Sequence, residues 1–236
     1  MILPIDYRIC VAVGRPDMTS ALEAAREMAT LADVIEIRLD TIVNPEVKPF
    51  LNAVTRPLLF TNRPIWEGGS WAGPEHERLN LLIEAVQGGA AYVDLELQAP
   101  SDSLQRIQDE IKGTPTQLIL SNHNFEFTPS RKELIERLHM MREKGAHIGK
   151  IVTMARDHHD VLRVLQLQED AAAMNLPLIA FCMGRAGAIS RIATLELGGY
   201  MTYCAVNAEE ATAPGQIAVA TLRTIYELLQ PAQNNG

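Results

Sequence analysis

The sequence predicts an α/β fold, a single (β/α)8 TIM barrel built from residues 1–236. Three observations predict it. Eight short β-branched or apolar runs alternate with longer helical patterns from end to end. The length of 236 residues accommodates eight such units as one large domain. After the first strand the chain reads Val13-Gly14-Arg15-Pro16, without the Gly-x-Gly-x-x-Gly fingerprint of an open dinucleotide-binding sheet.

Taken in order, residues 7–13 form the first strand, and residues 19–31 a helix with Thr19 as its N-cap. The second strand covers 34–39, and residues 45–54 carry the weakest helical pattern before the third strand at 57–61. A helix over 74–87 stops at Gly88 and leads to the fourth strand, 91–97. Asp102 starts the helix over 102–112, which Gly113 ends before the fifth strand at 117–121. Ser130 caps a helix over 130–143, and Gly145 separates it from the sixth strand, 148–154. One helix over 158–174, a seventh strand at 178–183, a helix over 188–197, an eighth strand at 200–206 and a helix over 216–229 complete the pattern. The polar tail 230–236 reads as frayed.

Composition narrows the partners. The formal net charge is −8, with no basic run, which argues against nucleic-acid binding. No apolar stretch reaches the roughly 18 residues a membrane span needs. The opening Met1-Ile2-Leu3-Pro4-Ile5-Asp6 lacks the basic start and apolar run of a signal peptide, so a cytoplasmic enzyme is expected. Cys10, Cys182 and Cys204 fall within apolar runs without a Cys-x-x-Cys pair and read as small core residues. No metal site is called for.

In such a barrel, functional groups sit in the lumen or at the C-terminal ends of the strands. Polar residues inside strands buried on both faces therefore ask for a reason. Lys150 is the first, in the otherwise apolar Gly149-Lys150-Ile151-Val152-Thr153-Met154. An isolated ammonium there costs several kcal/mol to desolvate, whereas a neutral amine is a nucleophile for ketones. The second strand, Val34-Ile35-Glu36-Ile37-Arg38-Leu39-Asp40, has charges at period two, which aims Glu36, Arg38 and Asp40 at the lumen. They suit a polar substrate site, an internal ion-pair ladder, or both. Arg63 at the end of the third strand is an anion or hydroxyl clamp. Glu67, before Gly68-Gly69, lies on a loop that is either plain surface or part of the barrel mouth. His123 follows the apolar fifth strand in Ser121-Asn122-His123-Asn124-Phe125 and is structural or, beside a buried lysine, a general acid/base. His158-His159 reads as solvated surface. Arg191, after a glycine-bearing turn at Gly184 and Gly187, is a surface arginine or a carboxylate clamp. Thr212-Ala213-Pro214-Gly215-Gln216 suits a loop that closes over a ligand.

Together these segments resemble type I 3-dehydroquinate dehydratase, the Schiff-base enzyme of the shikimate pathway of aromatic amino-acid biosynthesis. The matching pieces are Glu36-Ile37-Arg38-Leu39-Asp40, Arg63 with Glu67-Gly68-Gly69, Ser121-Asn122-His123, Gly149-Lys150-Ile151, Met183-Gly184 through Ser190-Arg191, and Ala213-Pro214-Gly215-Gln216. They run in the family's order from the second strand to the last loop. The resemblance implies a barrel, usually a homodimer, that needs no metal or organic cofactor and whose partner is a small-molecule substrate, 3-dehydroquinate. It assigns imine formation to Lys150, general acid/base work to His123 and support of that histidine to Glu67. Glu36, Arg38 and Arg63 would hold substrate hydroxyls and order the site, and Arg191 would clamp the substrate carboxylate. Thr212 and Gln216 would act from the closing loop. Three positions depart from the common pattern: Asn124 for an aspartate, Thr212 for a serine and Phe181 for a methionine. None removes a catalytic functional group.

Two rival chemistries fit less well. A class I aldolase also uses a strand-borne lysine, but Arg191 and Gln216 favour a small carboxylated polyol over a sugar phosphate. A metal-dependent hydrolase lacks a His-x-His cluster at a strand end. A non-catalytic ligand-binding relative would have little need of Lys150, His123 and Glu67 together.

Overall fold

The computed structural model describes residues 8–229. Tyr7 of the expected first strand and the expected frayed tail 230–236 lie outside the described residues. Eight strands form one parallel sheet: β1 (Ile9–Val13), β2 (Val34–Arg38), β3 (Leu58–Thr61), β4 (Tyr92–Glu96), β5 (Gln117–Asn124), β6 (Ile148–Met154), β7 (Leu178–Met183) and β8 (Thr202–Ala205). Their order is β7-β6-β5-β4-β3-β2-β1-β8, the curled sequence of the expected (β/α)8 barrel. At the remaining β7–β8 seam the backbone N–H of Tyr200 donates to the carbonyl of Leu178 at 2.8 Å.

The helices between them are α1 (Met18–Met28), α2 (Lys48–Ala53), α3 (Glu75–Gln87), α4 (Ser101–Ile111), α5 (Arg131–Glu143), α6 (His158–Leu165), α7 (Leu167–Ala173), α8 (Gly184–Glu196) and α9 (Val219–Leu229). Strand alternation sorts the apolar residues into two layers. Ile35, Ile37, Val93, Leu95, Leu118 and Leu120 point outward into the large core shared with the helices. Val34, Leu59, Ile119, Ile148 and Ile179 fill the lumen in a smaller cluster.

Several local expectations change. Asp17, not Thr19, caps α1, accepting from the backbone N–H of Ser20. Asp102 lies within the first turn of α4, behind a Pro100 N-cap whose fixed φ starts the helix without a side-chain bond. Ser130 does cap α5, in a reciprocal capping box with Glu133. The single helix expected over 158–174 is two, α6 and α7, meeting at Gln166. The expected turn around Gly184 and Gly187 is already helical. Gly184 takes φ of 80°, and a Cβ on Gly187 would lie 2.7 Å from the backbone of Cys182, so α8 packs directly on β7. β5 continues three residues beyond its apolar run, because β6 supplies ladder partners as far as Asn124.

Candidate active site

All nine side chains to which the family resemblance assigns a role line one cleft at the C-terminal mouth of the barrel. β2 contributes Glu36 and Arg38, the short turn after β3 Arg63 and Glu67, β5 His123, β6 Lys150, α8 Arg191, and the loop before α9 Thr212 and Gln216. Glu36 and Gln216, the outermost of them, stand 180 positions apart in the sequence. Strand closure brings them together.

Lys150 is buried on β6, beside Ser121 of β5 in register. Its ammonium is not isolated, contrary to the expectation from its apolar neighbours. Nζ lies 3.1 Å from Asp94 Oδ2 and 3.6 Å from Glu36 Oε1, and it sits 4.1 Å from the centroid of the Tyr203 ring. Thr61 donates to the same Glu36 oxygen at 2.8 Å. Asp94 escaped the sequence reading, although Tyr92-Val93-Asp94-Leu95-Glu96 repeats the period-two charge of the second strand. Burial raises the Asp94 proton affinity, but Arg63 and then Lys150 outweigh it and hold the carboxyl well below the usual range.

Arg63 organises this floor. Its Nη1 bonds Glu96 and the Ser121 hydroxyl, both at 2.7 Å, and its Nη2 pairs with Asp94 at 2.9 Å. Ser121 in turn donates to Asp94 at 2.6 Å. Arg78, fully buried on α3, closes the far side of Glu96 at 2.7 Å. A guanidinium so committed to internal acids fixes the site more than it offers donors to a ligand. Arg38 likewise forks onto Asp40 at 2.9 and 2.7 Å. Asp40 does not share the strand face of Glu36 and Arg38. It lies in a 3-10 turn over Leu39–Thr41 and accepts the backbone N–H groups of Arg63 and Ser70. The ion-pair alternative thus holds for Arg38–Asp40, while Glu36 faces Lys150.

Glu67 is buried within a 3-10 turn over Ile65–Glu67 that Gly68 ends at φ of 76°. Its Oε1 lies 2.9 Å from His123 Nδ1 and accepts the His123 backbone N–H, also at 2.9 Å. His123 is part of β5, not the residue beyond it, so backbone ladder and Glu67 together fix the ring. Burial, reinforced by the positive charges of Arg63 and Lys150, holds the imidazole well below its ordinary 6.5. Burial also pushes the Glu67 carboxyl up to about 8, with Arg63 opposing. Both shifts disfavour an imidazolium–carboxylate pair and leave a neutral imidazole at neutral pH.

Arg191 is 1% exposed and, among the described residues, has no acidic partner. Its Nη1 and Nη2 reach only the carbonyls of Tyr203 at 3.3 Å and Pro214 at 3.4 Å, and its Nε is buried without a partner. Burial lowers its proton affinity to about 10, still far above neutral pH. A buried cation with spare donors, opening on a cleft, is a ready anion site. The loop over it is held by Gln216, whose Oε1 accepts from the Thr212 N–H at 2.7 Å and hydroxyl at 3.2 Å. His158 and His159 stay on α6, away from the cleft.

Known proteins resemble the chain in sequence and in fold. A family model described as type I 3-dehydroquinase matches residues 9–233. The 3-dehydroquinate dehydratase of Desulfotalea psychrophila is 50% identical over 219 residues, covering 93% of this chain and 96% of that protein. The crystal structure of 3-dehydroquinate dehydratase from Geobacillus kaustophilus superposes with a TM-score of 0.88 at 29% identity, covering 97% of this chain and 93% of that one. The type I 3-dehydroquinate dehydratase of Clostridium difficile, solved with covalent modified comenic acid, gives 0.86 at 29% identity over 94% and 92% of the two chains.

Proposed function

The chain belongs to the type I 3-dehydroquinase family, and from that premise we propose that Lys150 carries its reaction as a Schiff base while His123 moves the protons. The protein is a 3-dehydroquinate dehydratase, a hydro-lyase of the shikimate pathway. The observation that carries the mechanistic reading is a buried lysine at the floor of a cleft that also holds a histidine fixed by Glu67 and an acid-free arginine.

The chemistry follows from charge. Removing a proton beside a ketone builds negative charge on oxygen, which is costly at neutral pH. The Lys150 amine adds to the ketone carbon, and loss of water leaves a protonated imine. Removal of the adjacent proton by the neutral His123 imidazole then gives a neutral enamine instead of an enolate. Electron return expels the β-hydroxyl, which takes the proton from His123 and departs as water. Hydrolysis of the conjugated imine consumes one water, frees 3-dehydroshikimate and restores Lys150, so one water is lost overall.

Glu67 orients the ring through Nδ1 and through the His123 backbone N–H. Asp94 and Glu36 hold the Lys150 nitrogen in place. Arg191 binds the substrate carboxylate in a bidentate fork. Arg38, Arg63 and Glu36 order the hydroxyl side, and Thr212 and Gln216 close over the top. A homodimer in the cytoplasm completes the proposal.

Borohydride added during turnover of 3-dehydroquinate tests the central step, because it reduces the imine to a stable amine. Peptide mass spectrometry is expected to locate the adduct on Lys150. No adduct, or one on Lys48, Lys112, Lys132 or Lys144, would overturn the assignment.

A further inference from the structure

Arg191 poses a physical problem that the reaction does not explain. A guanidinium buried to 1% exposure normally pairs with an acid, and this one has none among the described residues. Two long bonds to the carbonyls of Tyr203 and Pro214, at 3.3 and 3.4 Å, are weak restraints on a long side chain. One group contacts it closely. Its Cζ lies 4.5 Å from the centroid of the Phe181 ring, on β7, within the range where the ring quadrupole attracts a cation.

Phe181 is itself locked. It is 2% exposed in the lumen cluster, and its ring lies 5.8 Å from that of Tyr203 at an interplanar angle of 43°. Tyr203 in turn carries Lys150 Nζ at 4.1 Å from its ring. Two of the cations of the cleft thus rest on two neighbouring aromatic rings, Lys150 on Tyr203 and Arg191 on Phe181.

We propose that Phe181 is the positioning residue for the carboxylate clamp: its ring face holds the Arg191 guanidinium where an acid would otherwise sit, leaving the donors free for the substrate's carboxylate. An acid at this place would neutralise Arg191 and occupy the fork that the ligand needs. A ring attracts the cation without using a single N–H. This rests on the reading of Arg191 as the clamp, and it makes β7 a determinant of preference for carboxylated ligands.

Graded fluorination of Phe181 weakens the ring quadrupole at nearly constant size. The experiment introduces 4-fluoro-, 3,5-difluoro- and 3,4,5-trifluorophenylalanine at position 181 and measures competitive inhibition by quinate and by its uncharged carboxamide. Quinate has no ketone, so its binding is independent of imine chemistry. Affinity for quinate is expected to fall stepwise, reaching about three- to tenfold at the trifluoro stage, while the carboxamide changes little and KM for 3-dehydroquinate rises by a larger factor than kcat falls. A Phe181→Leu variant is expected to match the trifluoro protein in quinate affinity. Equal quinate affinity across the series, or equal losses for both ligands, would overturn the role of the ring. Arg191→Leu separates the two readings. If it leaves quinate affinity unchanged, the clamp itself fails; if it abolishes the preference for quinate while fluorination does nothing, only the Phe181 proposal fails.

Discussion

At the scale of single residues, charge partners decide the chemistry more than burial alone. Lys150 lies in an apolar strand, yet Asp94 and Glu36 flank its nitrogen. Asp94 also holds Arg63, so Asp94→Asn leaves two buried cations short of an anion. We expect a loss of about 3–5 kcal/mol in urea unfolding together with loss of turnover; a change under about 1 kcal/mol would mean the network relaxes around the amide. His123 gives a prediction in pH. A base whose proton affinity is held below the ordinary 6.5 stays neutral, and therefore competent, as pH falls past that value. The acid limb of kcat/KM should consequently lie below pH 6.5, and His123→Ala should abolish most dehydration while still allowing slow borohydride trapping. A limb above 6.5 would point to another base or to an exposed ring.

At the scale of elements, the contact between β7 and α8 sets where Arg191 points. Gly187 permits it, since any Cβ there would meet the Cys182 backbone and side chain at 2.7 Å. Gly187→Ala must push α8 off the strand. The expected cost is about 1–3 kcal/mol of stability, with KM raised more than kcat because Arg191 moves with its helix. Thermal melts and steady-state kinetics on the same preparation check both parts, and an unchanged KM would show that α8 does not position the clamp. The same element shows a limit of pattern reading. Glycines at 184 and 187 suggested a turn, but only Gly184 needs the left-handed region, and Gly187 serves close packing inside the helix. His123 shows another: a polar run ended the strand in the pattern, whereas ladder bonds to β6 carry it through Asn124.

At the scale of the molecule, one large apolar core runs from Ile9 on the first strand to Tyr226 on the last helix. Its continuity supports the proposal that the chain folds as one domain. Circular dichroism and tryptophan fluorescence should then report a single coincident urea transition. The proposed homodimer adds that its midpoint rises with protein concentration, by mass action. Two separated transitions would argue for independent units, and a concentration-independent midpoint would remove dimerisation from the folding equilibrium.

The eight-unit rhythm, the barrel and the lumenal charges Glu36 and Lys150 were legible in the sequence by itself, whereas Glu67 and Arg191 read as surface or site until the family resemblance assigned them. Strand and helix periodicities are local, and a barrel allows few places for lumenal charges such as Glu36 and Lys150. Partnership was decided only by the tertiary structure. Asp94 next to Lys150, Phe181 beneath Arg191 and the Arg63–Glu96–Arg78 chain join side chains from different elements. Their contacts depend on strand register and on the closure of the sheet, and neither leaves a periodic trace along the chain. So the sequence named the lysine and its burial, but only the folded barrel supplied the carboxylates and rings that decide how that nitrogen is held.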